Sequence, residues 1–484
     1  MDMDHEACYR VISQRDPRFD GRLFTGVKTT GIYCRPVCPA RTPLSRNVVF
    51  FPSAAAAQEA GFRPCLRCRP ETAPDLGAWR GTSNTVTRAL SLIELGALDD
   101  GDVDALAGRL GVGERQLRRL FRQHLGASPV AVAQTRRVLL AKQLIHETRL
   151  PMTEVAFAAG FGSIRRFNET FQTLFGRAPG ALRRSLGADV SADAAGEISL
   201  LLRYQPPYDW ASMIDFLRVR AITGMEVVTP GSYSRTIQIG DDQGSVCVRP
   251  TDGDALRATV RFPRLSALPV IIARLRRVFD LSADPLAITE HLARDPALAP
   301  LVAARPGLRA PGAWDGFELA IRAVLGQQIT VAAAIRLAGK LVAAHGEAVA
   351  RPARGLMHVF PRPDVLARAD LSALGMPRSR AAALSAVAVA VAVVEDPNLF
   401  SADRGLDDAI ARLKAIRGVG EWTAQYIALR QMRLPDAFPA ADVGLMRALA
   451  DDNGRRPTAD ELLARAEAWR PWRAYAAQHL WAAA

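Results

Sequence analysis

Two groups of residues in this chain have the types and the spacing to carry chemistry. Cys34 and Cys38 are separated by three residues, Cys65 and Cys68 by two, and 26 residues lie between the pairs. Four thiolates so arranged match a tetrahedral zinc site, because each short loop lets two sulfurs reach one ion. Such a site can simply let a small, Arg-rich segment fold, or it can keep a thiolate nucleophilic at neutral pH, and the spacing leaves both open. The second group centres on Asp442, twelve residues beyond Arg430 in a segment, Phe438-Pro439-Ala440-Ala441-Asp442, with no other charge. A carboxylate there can stabilise positive charge developing on a substrate and align or deprotonate a water. It can equally cap a helix, the usual place of an isolated aspartate in a loop.

Positioning Asp442 falls to the stretch before it. Two apolar helical patterns, Leu413 to Ile416 and Trp422 to Leu429, flank Arg417-Gly418-Val419-Gly420, a turn whose glycines allow backbone angles other residues resist. The pattern predicts a helix-hairpin-helix, which can point the N–H groups of Val419, Gly420 and the next helix start at a phosphate and reads no sequence. A glycine turn also serves close helix packing. Hairpin plus aspartate resembles the helix-hairpin-helix DNA glycosylases, most closely the DNA-3-methyladenine glycosylase II (AlkA) type. The likeness runs from about Tyr204 to the C-terminus and includes Tyr204-Gln205-Pro206-Pro207-Tyr208-Asp209-Trp210, Ala323 to Thr330, Trp469 to Tyr475 and His479-Leu480-Trp481.

The resemblance implies hydrolysis of the bond between an alkylated purine, such as 3-methyladenine, and its sugar, with Asp442 as the catalytic residue. Phe216, Trp422, Tyr426 and Trp481, with Gln327 and Gln328, would line the base pocket. A cationic methylated purine stacked on such rings gains about 0.5–2 kcal/mol per good contact. Related enzymes that cut the strand carry a lysine in the second hairpin helix, where this chain has Trp422 beside Glu421, so base excision without strand cleavage is expected. Two positions depart from the AlkA pattern: Gln328 replaces a leucine wedge and Val443 replaces a tyrosine. Gln328 or Ile329 is expected to fill the gap left by the extruded base.

Around the cysteines, RDPRFDGRLFTGVKTTGIYCRPVCPARTPLSRNVVFF and AGFRPCLRCRP resemble the N-terminal domain of the Ada family over residues 9 to 75. That resemblance implies one zinc ion on Cys34, Cys38, Cys65 and Cys68, with Cys34 taking a methyl group from a methylated DNA phosphate and being consumed. A thiolate becoming a thioether takes the centre from formal −2 to −1, which should favour binding to phosphates. Arg35, Arg41, Arg46, Arg63, Arg67 and Arg69 surround the cluster and could hold the backbone.

From Asn84 to Leu186 the chain reads as helices. Two helix-turn-helix patterns about fifty residues apart, turning at Gly111-Val112-Gly113 and Gly160-Phe161-Gly162, are joined by a long helix from Val130 to His146. They resemble the AraC-type DNA-binding domain, which nominates Arg115, Gln116, Arg118 and Arg119, then Ser163, Arg165, Arg166 and Asn168, for the major groove. Ala188 to Gly196 reads as a linker. Beyond it, Ser234 to Ile239 and Leu256 to Phe262 alternate like strands, with Gly240 to Gly244 as a turn, and helices are expected at Trp210 to Ala221 and Pro269 to Phe279. From Trp314 on the pattern is helical. Cys247 reads as a small core residue, and the Pro-Cys-His-Arg nucleophile of an Ada-type methyltransferase has no counterpart, so repair of alkylated guanine oxygen is not expected.

The fold expected is multidomain, α+β and mostly α. It comprises a small four-cysteine zinc domain (1–80), an all-α double helix-turn-helix domain (81–187), a linker (188–197), an α+β subdomain (198–300) and an all-α helix-hairpin-helix glycosylase domain (301–484). Length alone suggests three or four compact units. The net charge of +13 is unevenly spread: residues 1–187 hold 27 Lys+Arg against 17 Asp+Glu, or +10, and the remainder 35 against 32, or +3. A basic surface suits a phosphate backbone, though net charge alone would equally fit RNA or an anionic membrane; the resemblances imply double-stranded DNA, both damaged and promoter, with RNA polymerase as the partner of an activator. The acidic start lacks a signal-peptide pattern, and the apolar run Ala381 to Val394 is shorter than the ~20 residues of a membrane helix. A monomeric, cytoplasmic, nucleoid-associated bacterial protein is expected, with no membrane partner and no organic cofactor. The alternative is a regulator whose C-terminal part binds DNA without catalysis.

Overall fold

The computed structural model describes residues 4–74, 84–99, 101–184, 197–353, 355–392, 399–401, 405–451 and 453–483. The linker expected from Ala188 to Gly196 lies outside them. Contacts gather the chain into two compact units, residues 1–205, 251–273 and 281–283 in one, and 206–250, 274–280 and 284–484 in the other.

The first unit begins with α1 (His5–Gln14) and a small sheet of β1 (Phe24–Val27), β2 (Ile32–Cys34), β3 (Val48–Phe51) and β4 (Arg63–Pro64), with α2 (Ala54–Glu59) between the last two strands. The sheet order is β3-β1-β2-β4, antiparallel except for β2 with β4. That parallel pairing, Ile32 beside Arg63 and Tyr33 beside Pro64, is what brings Cys34 and Cys65 together. Among the described residues seven helices follow: α3 (Asn84–Glu94), α4 (Val103–Arg109), α5 (Glu114–Leu125), α6 (Pro129–Glu147), α7 (Met152–Ala158), α8 (Ile164–Phe175) and α9 (Pro179–Arg184). Helices α5 and α8 both stop at a left-handed glycine, Gly126 and Gly176, which releases the chain from the helix without a Cβ clash. Phe167, Phe171 and Phe175 recur every four residues on α8 and are buried in a tilted stack, with centroids 4.8 and 5.3 Å apart.

Fewer units form than length suggested because the cysteine-bearing part is bound into the helical part. Ser53 Oγ donates to Leu125 O (2.7 Å), and Arg122 and Ser128 both reach Glu59 (2.5 and 3.0 Å). Lys142 of α6, fully buried, donates to Cys65 O (3.0 Å) and Glu71 (2.6 Å). Burial opposes the Glu71 charge, yet Lys142 and Arg69 hold its carboxyl below the usual range. The pair β5 (Ile198–Arg203) and β9 (Ala255–Arg261), antiparallel, completes this unit, with Leu201 N donating to Glu147.

In the second unit α10 (Trp210–Arg218) precedes a meander of β6 (Glu226–Thr229), β7 (Ser232–Ile239) and β8 (Asp242–Pro250). Two details differ from expectation. The turn is only Gly240-Asp241, since Asp242 to Gly244 already pair in β8. Cys247 lies half-buried, because Val246 and Val248 take the core side of that strand. The helices are α11 (Leu268–Val278, shared with the first unit), α12 (Pro285–Leu292), α13 (Ala299–Ala304), α14 (Gly316–Leu325), α15 (Val331–His345), α16 (Pro363–Arg368), α17 (Arg378–Ala392), α18 (Leu406–Lys414), α19 (Glu421–Arg430), α20 (Val443–Ala448), α21 (Ala459–Ala466) and α22 (Arg473–Ala483). The region after Trp314 is not wholly helical: β10 (Ala348–Ala353) and β11 (Leu356–His358) form a hairpin. The apolar run became α17, burying Ala381, Leu384, Val387 and Ala388 but exposing Val389, with Val393 and Val394 outside the described residues. No helix among the described residues is long and apolar enough to cross a membrane.

Candidate active site and metal centre

Helices α18 and α19 form the expected hairpin. Gly418 has φ +89°, and a Cβ on it would lie 2.3 Å from the Cβ of Ala383, so both conformation and space demand glycine. Gly420 has neither constraint: its φ is −90° and open space surrounds it. The N–H of Val419, expected to face a phosphate, instead donates to Ile416 O (3.0 Å) and closes the turn. Phosphate-directed donors must then come from Gly420 and the first residues of α19, whose start has no side-chain cap.

Asp442 is both a cap and a pocket residue. Its Oδ1 accepts from Leu445 N (3.0 Å), capping α20, and from Trp481 Nε1 (2.9 Å), while Oδ2 accepts from Trp422 Nε1 (2.8 Å). Three N–H donors fix a carboxylate at the wall of a cleft of about 1370 Å³. That exceeds the roughly 300–1,000 Å³ of a common small-molecule site and leaves room for an extruded nucleoside. Phe216, Trp422, Tyr426, Trp481, Gln327 and Gln328 all line it, together with Asp442. Trp422 stacks on Tyr426 at 5.2 Å and 11°, and Tyr426 meets Trp481 edge-on at 6.3 Å. Gln327 turns towards the hairpin, donating to Gly418 O and Thr423 Oγ1 (3.0 Å each). Gln328, at the lip, holds a left-handed φ of +58°.

Two cleft residues went unrecognised in the sequence. Arg430 sits with its guanidinium carbon 4.7, 5.4 and 5.1 Å from the rings of Phe216, Tyr426 and Trp481. The guanidinium carbon of Arg220 lies 3.9 Å from the Phe216 ring. The signal was present: Trp422, Tyr426 and Arg430 are spaced by four and share one helix face. Burial pushes the Arg430 pKa down to about 10. Burial works against ionising Tyr426, but Arg430 and Arg220 bring its phenol below the ordinary range.

In the first unit the four cysteine sulfurs all lie within 4.8 Å of one another, a spacing that one tetrahedral ion satisfies. Cys65 and Cys68 are buried, whereas Cys34 and Cys38 are partly exposed. Backbone N–H groups of Arg67 and Arg35 donate to Cys65 and Cys68 Sγ (3.3 and 3.4 Å), and one of Ala40 reaches Cys38. Among the described residues no backbone N–H donates to the Cys34 sulfur. Of the arginines expected to hold DNA, Arg35 is an internal strut to Asp20, Thr72 and Cys68 O, and Arg69 pairs with Glu71 and Glu147. Arg63 is half-buried, and Arg41, Arg46 and Arg67 remain exposed.

On α5, Arg115, Gln116, Arg118 and Arg119 are all exposed, as are Ser163, Arg165, Arg166 and Asn168 at the start of α8. Arg118 and Arg165 pair along their own helices with Glu114 and Glu169, and Ser163 Oγ caps α8.

Four family models match in order: the metal binding domain of Ada (7–71), a helix-turn-helix domain (106–185), the AlkA N-terminal domain (199–315) and the HhH-GPD superfamily of base excision DNA repair proteins (321–474). A probable bifunctional transcriptional activator/DNA repair enzyme AlkA of Mycobacterium tuberculosis is 43% identical over 482 residues, 99% of this chain and 96% of the relative. The chain belongs to this AlkA family of bifunctional transcriptional activators and DNA repair enzymes. DNA-3-methyladenine glycosylase 2 of Escherichia coli is 36% identical over 287 residues, 58% of this chain and 95% of its own. A 3-methyladenine DNA-glycosylase from Archaeoglobus fulgidus superposes with a TM-score of 0.52 at 22% identity, over 58% of this chain and 97% of its own, a likeness of fold. The Ada-type match and the sulfur geometry together give this family member one zinc ion on Cys34, Cys38, Cys65 and Cys68.

Proposed function

We propose that this protein responds to DNA alkylation in two ways, as a monofunctional glycosylase releasing alkylated purines such as 3-methyladenine and as a methyl-phosphotriester-sensing activator. The observation that carries the first reading is the carboxylate of Asp442, fixed by two indole N–H groups at the edge of an aromatic cleft and adjoining a helix-hairpin-helix. Gly420 and the start of α19 grip a backbone phosphate, the base is turned into the cleft, and the rings of Trp422 and Tyr426 receive its face. As the bond to the base breaks, the anomeric carbon gains positive charge, and Asp442 stabilises it and takes the proton of the attacking water. No lysine among the described residues lines the cleft, and the nearby Lys414 is paired with Glu421 (2.7 Å), so no amine is placed to form a Schiff base and cut the strand.

At the N-terminus, Cys34, Cys38, Cys65 and Cys68 would hold a zinc ion that, when bound, would keep their sulfurs deprotonated. The partly exposed Cys34 sulfur attacks the methyl carbon of a phosphotriester: the S–CH3 bond forms, the C–O bond breaks, and the electron pair leaves with the phosphodiester. Arg41, Arg46 and Arg67 are exposed to meet the backbone, and the outer faces of α5 and α8 enter successive major grooves. RNA polymerase is the partner of this activator, which acts as a monomer on nucleoid DNA in the cytoplasm. Duplex containing 3-methyladenine tests the enzyme directly. Free base without strand scission is expected, and absence of release would leave the regulator alone. A labelled methyl phosphotriester should place one methyl per chain on Cys34, and transfer to Cys34→Ala would refute that assignment.

A further inference from the structure

Gln327 borders the cleft, but its amide is committed to the hairpin. Nε2 donates to Gly418 O at the turn and to Thr423 Oγ1 in the first turn of α19 (3.0 Å each), so one side chain spans the two sides of the bend. A carbonyl can only accept, which fixes the amide with its nitrogen towards Gly418. Thr423 is buried, and Gly418 lies against Ala383 of α17. The Gln327 carbonyl accepts from Arg380 Nη2 (2.6 Å), three residues before Ala383 on that same helix, and its N–H donates to Val324 O (3.3 Å) near the end of α14. The next residue, Gln328, is exposed at the lip with φ +58°, a left-handed angle that an L side chain rarely adopts and that persists only where the neighbours over-determine it. On its far side Thr330 is fixed by capping α15, its Oγ1 accepting from Ala333 N (3.3 Å).

We infer that Gln327 is a positioning residue for base extrusion: it locks the lip turn that presents Gln328 to the hairpin that holds the phosphate, so the grip on the backbone and the side chain entering the duplex keep one fixed spacing. The inference rests on the glycosylase reading. Extrusion opens a gap in the stack, and a side chain fills it as the base leaves only if it is already aimed there. Without the clamp the start of α19 still meets phosphate, but Gln328 is released from its left-handed angle and the lip no longer stands at a set distance from the gripped strand. The loss falls on extrusion, before the bond to the base breaks. Asp442 is fixed by its own three N–H donors, so the bond-breaking step is left as it is.

The test is single-turnover release of 7-methylguanine from two duplexes, one with the lesion paired to cytosine and one with it opposite an abasic site, where no base pair has to be broken. A 2-aminopurine beside the lesion reports unstacking by its fluorescence. Q327M keeps the length and loses the donors. It is expected to slow release from the paired duplex by about 30-fold, the worth of two neutral hydrogen bonds, with a weaker or slower unstacking signal, and to slow release from the unpaired duplex by less than about threefold. T423V, which removes one of the two acceptors at nearly constant volume, should cost about fivefold on the paired duplex, and adding it to Q327M should change little further. Equal slowing of both duplexes by Q327M, slowed release with an unchanged unstacking signal, or a loss below about threefold on the paired duplex overturns the inference and leaves the glycosylase reading intact. Release from neither duplex by wild type overturns both. Should Q327M fail to fold by circular dichroism, T423V alone is scored: a loss confined to the paired duplex is expected, and equal loss on both or none overturns the inference.

Discussion

Substituting Asp442→Asn separates the chemical role of this side chain from its structural one. Asparagine caps helices as well as aspartate does, so the bond to Leu445 N can persist and the start of α20 should hold. The amide cannot accept on both ends, however: with its oxygen kept on Leu445 N and Trp481 Nε1, its NH2 faces Trp422 Nε1, which loses its acceptor. That costs about 1–3 kcal/mol of stability. The larger loss is electrostatic. A full negative charge about 4 Å from a cationic sugar in a partly screened site contributes about 4 kcal/mol, equivalent to roughly 10³ in rate. Base release under saturating single-turnover conditions should therefore fall by about that factor, while affinity for a duplex with an abasic site changes little or rises, since a charge that repels phosphate is gone. Thermal melting measured in parallel reports the structural part. A fall in rate of less than about tenfold with an intact fold would refute Asp442 as the residue that stabilises the transition state.

Other outcomes follow from the same geometry. Gly418→Ala should destabilise the second unit by about 2–4 kcal/mol in chemical denaturation, because of its left-handed backbone and the overlap with Ala383, whereas Gly420→Ala should be tolerated within about 1 kcal/mol. Stripping zinc with a strong chelator should expose the buried Cys65 and Cys68 to thiol reagents, which otherwise reach only Cys34 and Cys38 of the four. His479 is buried and its pKa is pushed down to about 4 from 6.5, so between those values the unfolded chain binds a proton that the folded chain refuses. Its stabilising share is complete above about pH 6.5 and lost as pH falls towards 4, by about 3 kcal/mol. Melts of His479→Leu across that window should show a shallower acid dependence than wild type, and an unchanged slope would assign the acid sensitivity elsewhere.

Short-range patterns were legible because they are set by spacing along the chain. The cysteine pairs, the two helix-turn-helix units with their turn glycines, and the hairpin before Asp442 each follow from a few neighbouring residues. The turn chemistry was harder: both glycines of Arg417–Gly420 looked alike, yet only Gly418 is required, and what requires it is Ala383 on α17. The same holds for the Val419 N–H, which closes the turn instead of facing outward.

The sequence by itself determined which residues could act as nucleophile, carboxylate and phosphate grip, since identity and local spacing fix thiolate chemistry, charge and helix register. Only the tertiary structure decided which of them are free to act. Distant contacts made Arg35 a strut and left Arg67 exposed. They also gave Cys34 no backbone donor among the described residues, aimed Trp422 and Trp481 at one carboxylate, and set Arg430 in the cage expected to receive a cationic base. Burial and partner choice are properties of the packed chain, because a charge is silent or available according to what lies across from it, and Pro311, which anchors Arg430, stands 119 residues away along the chain.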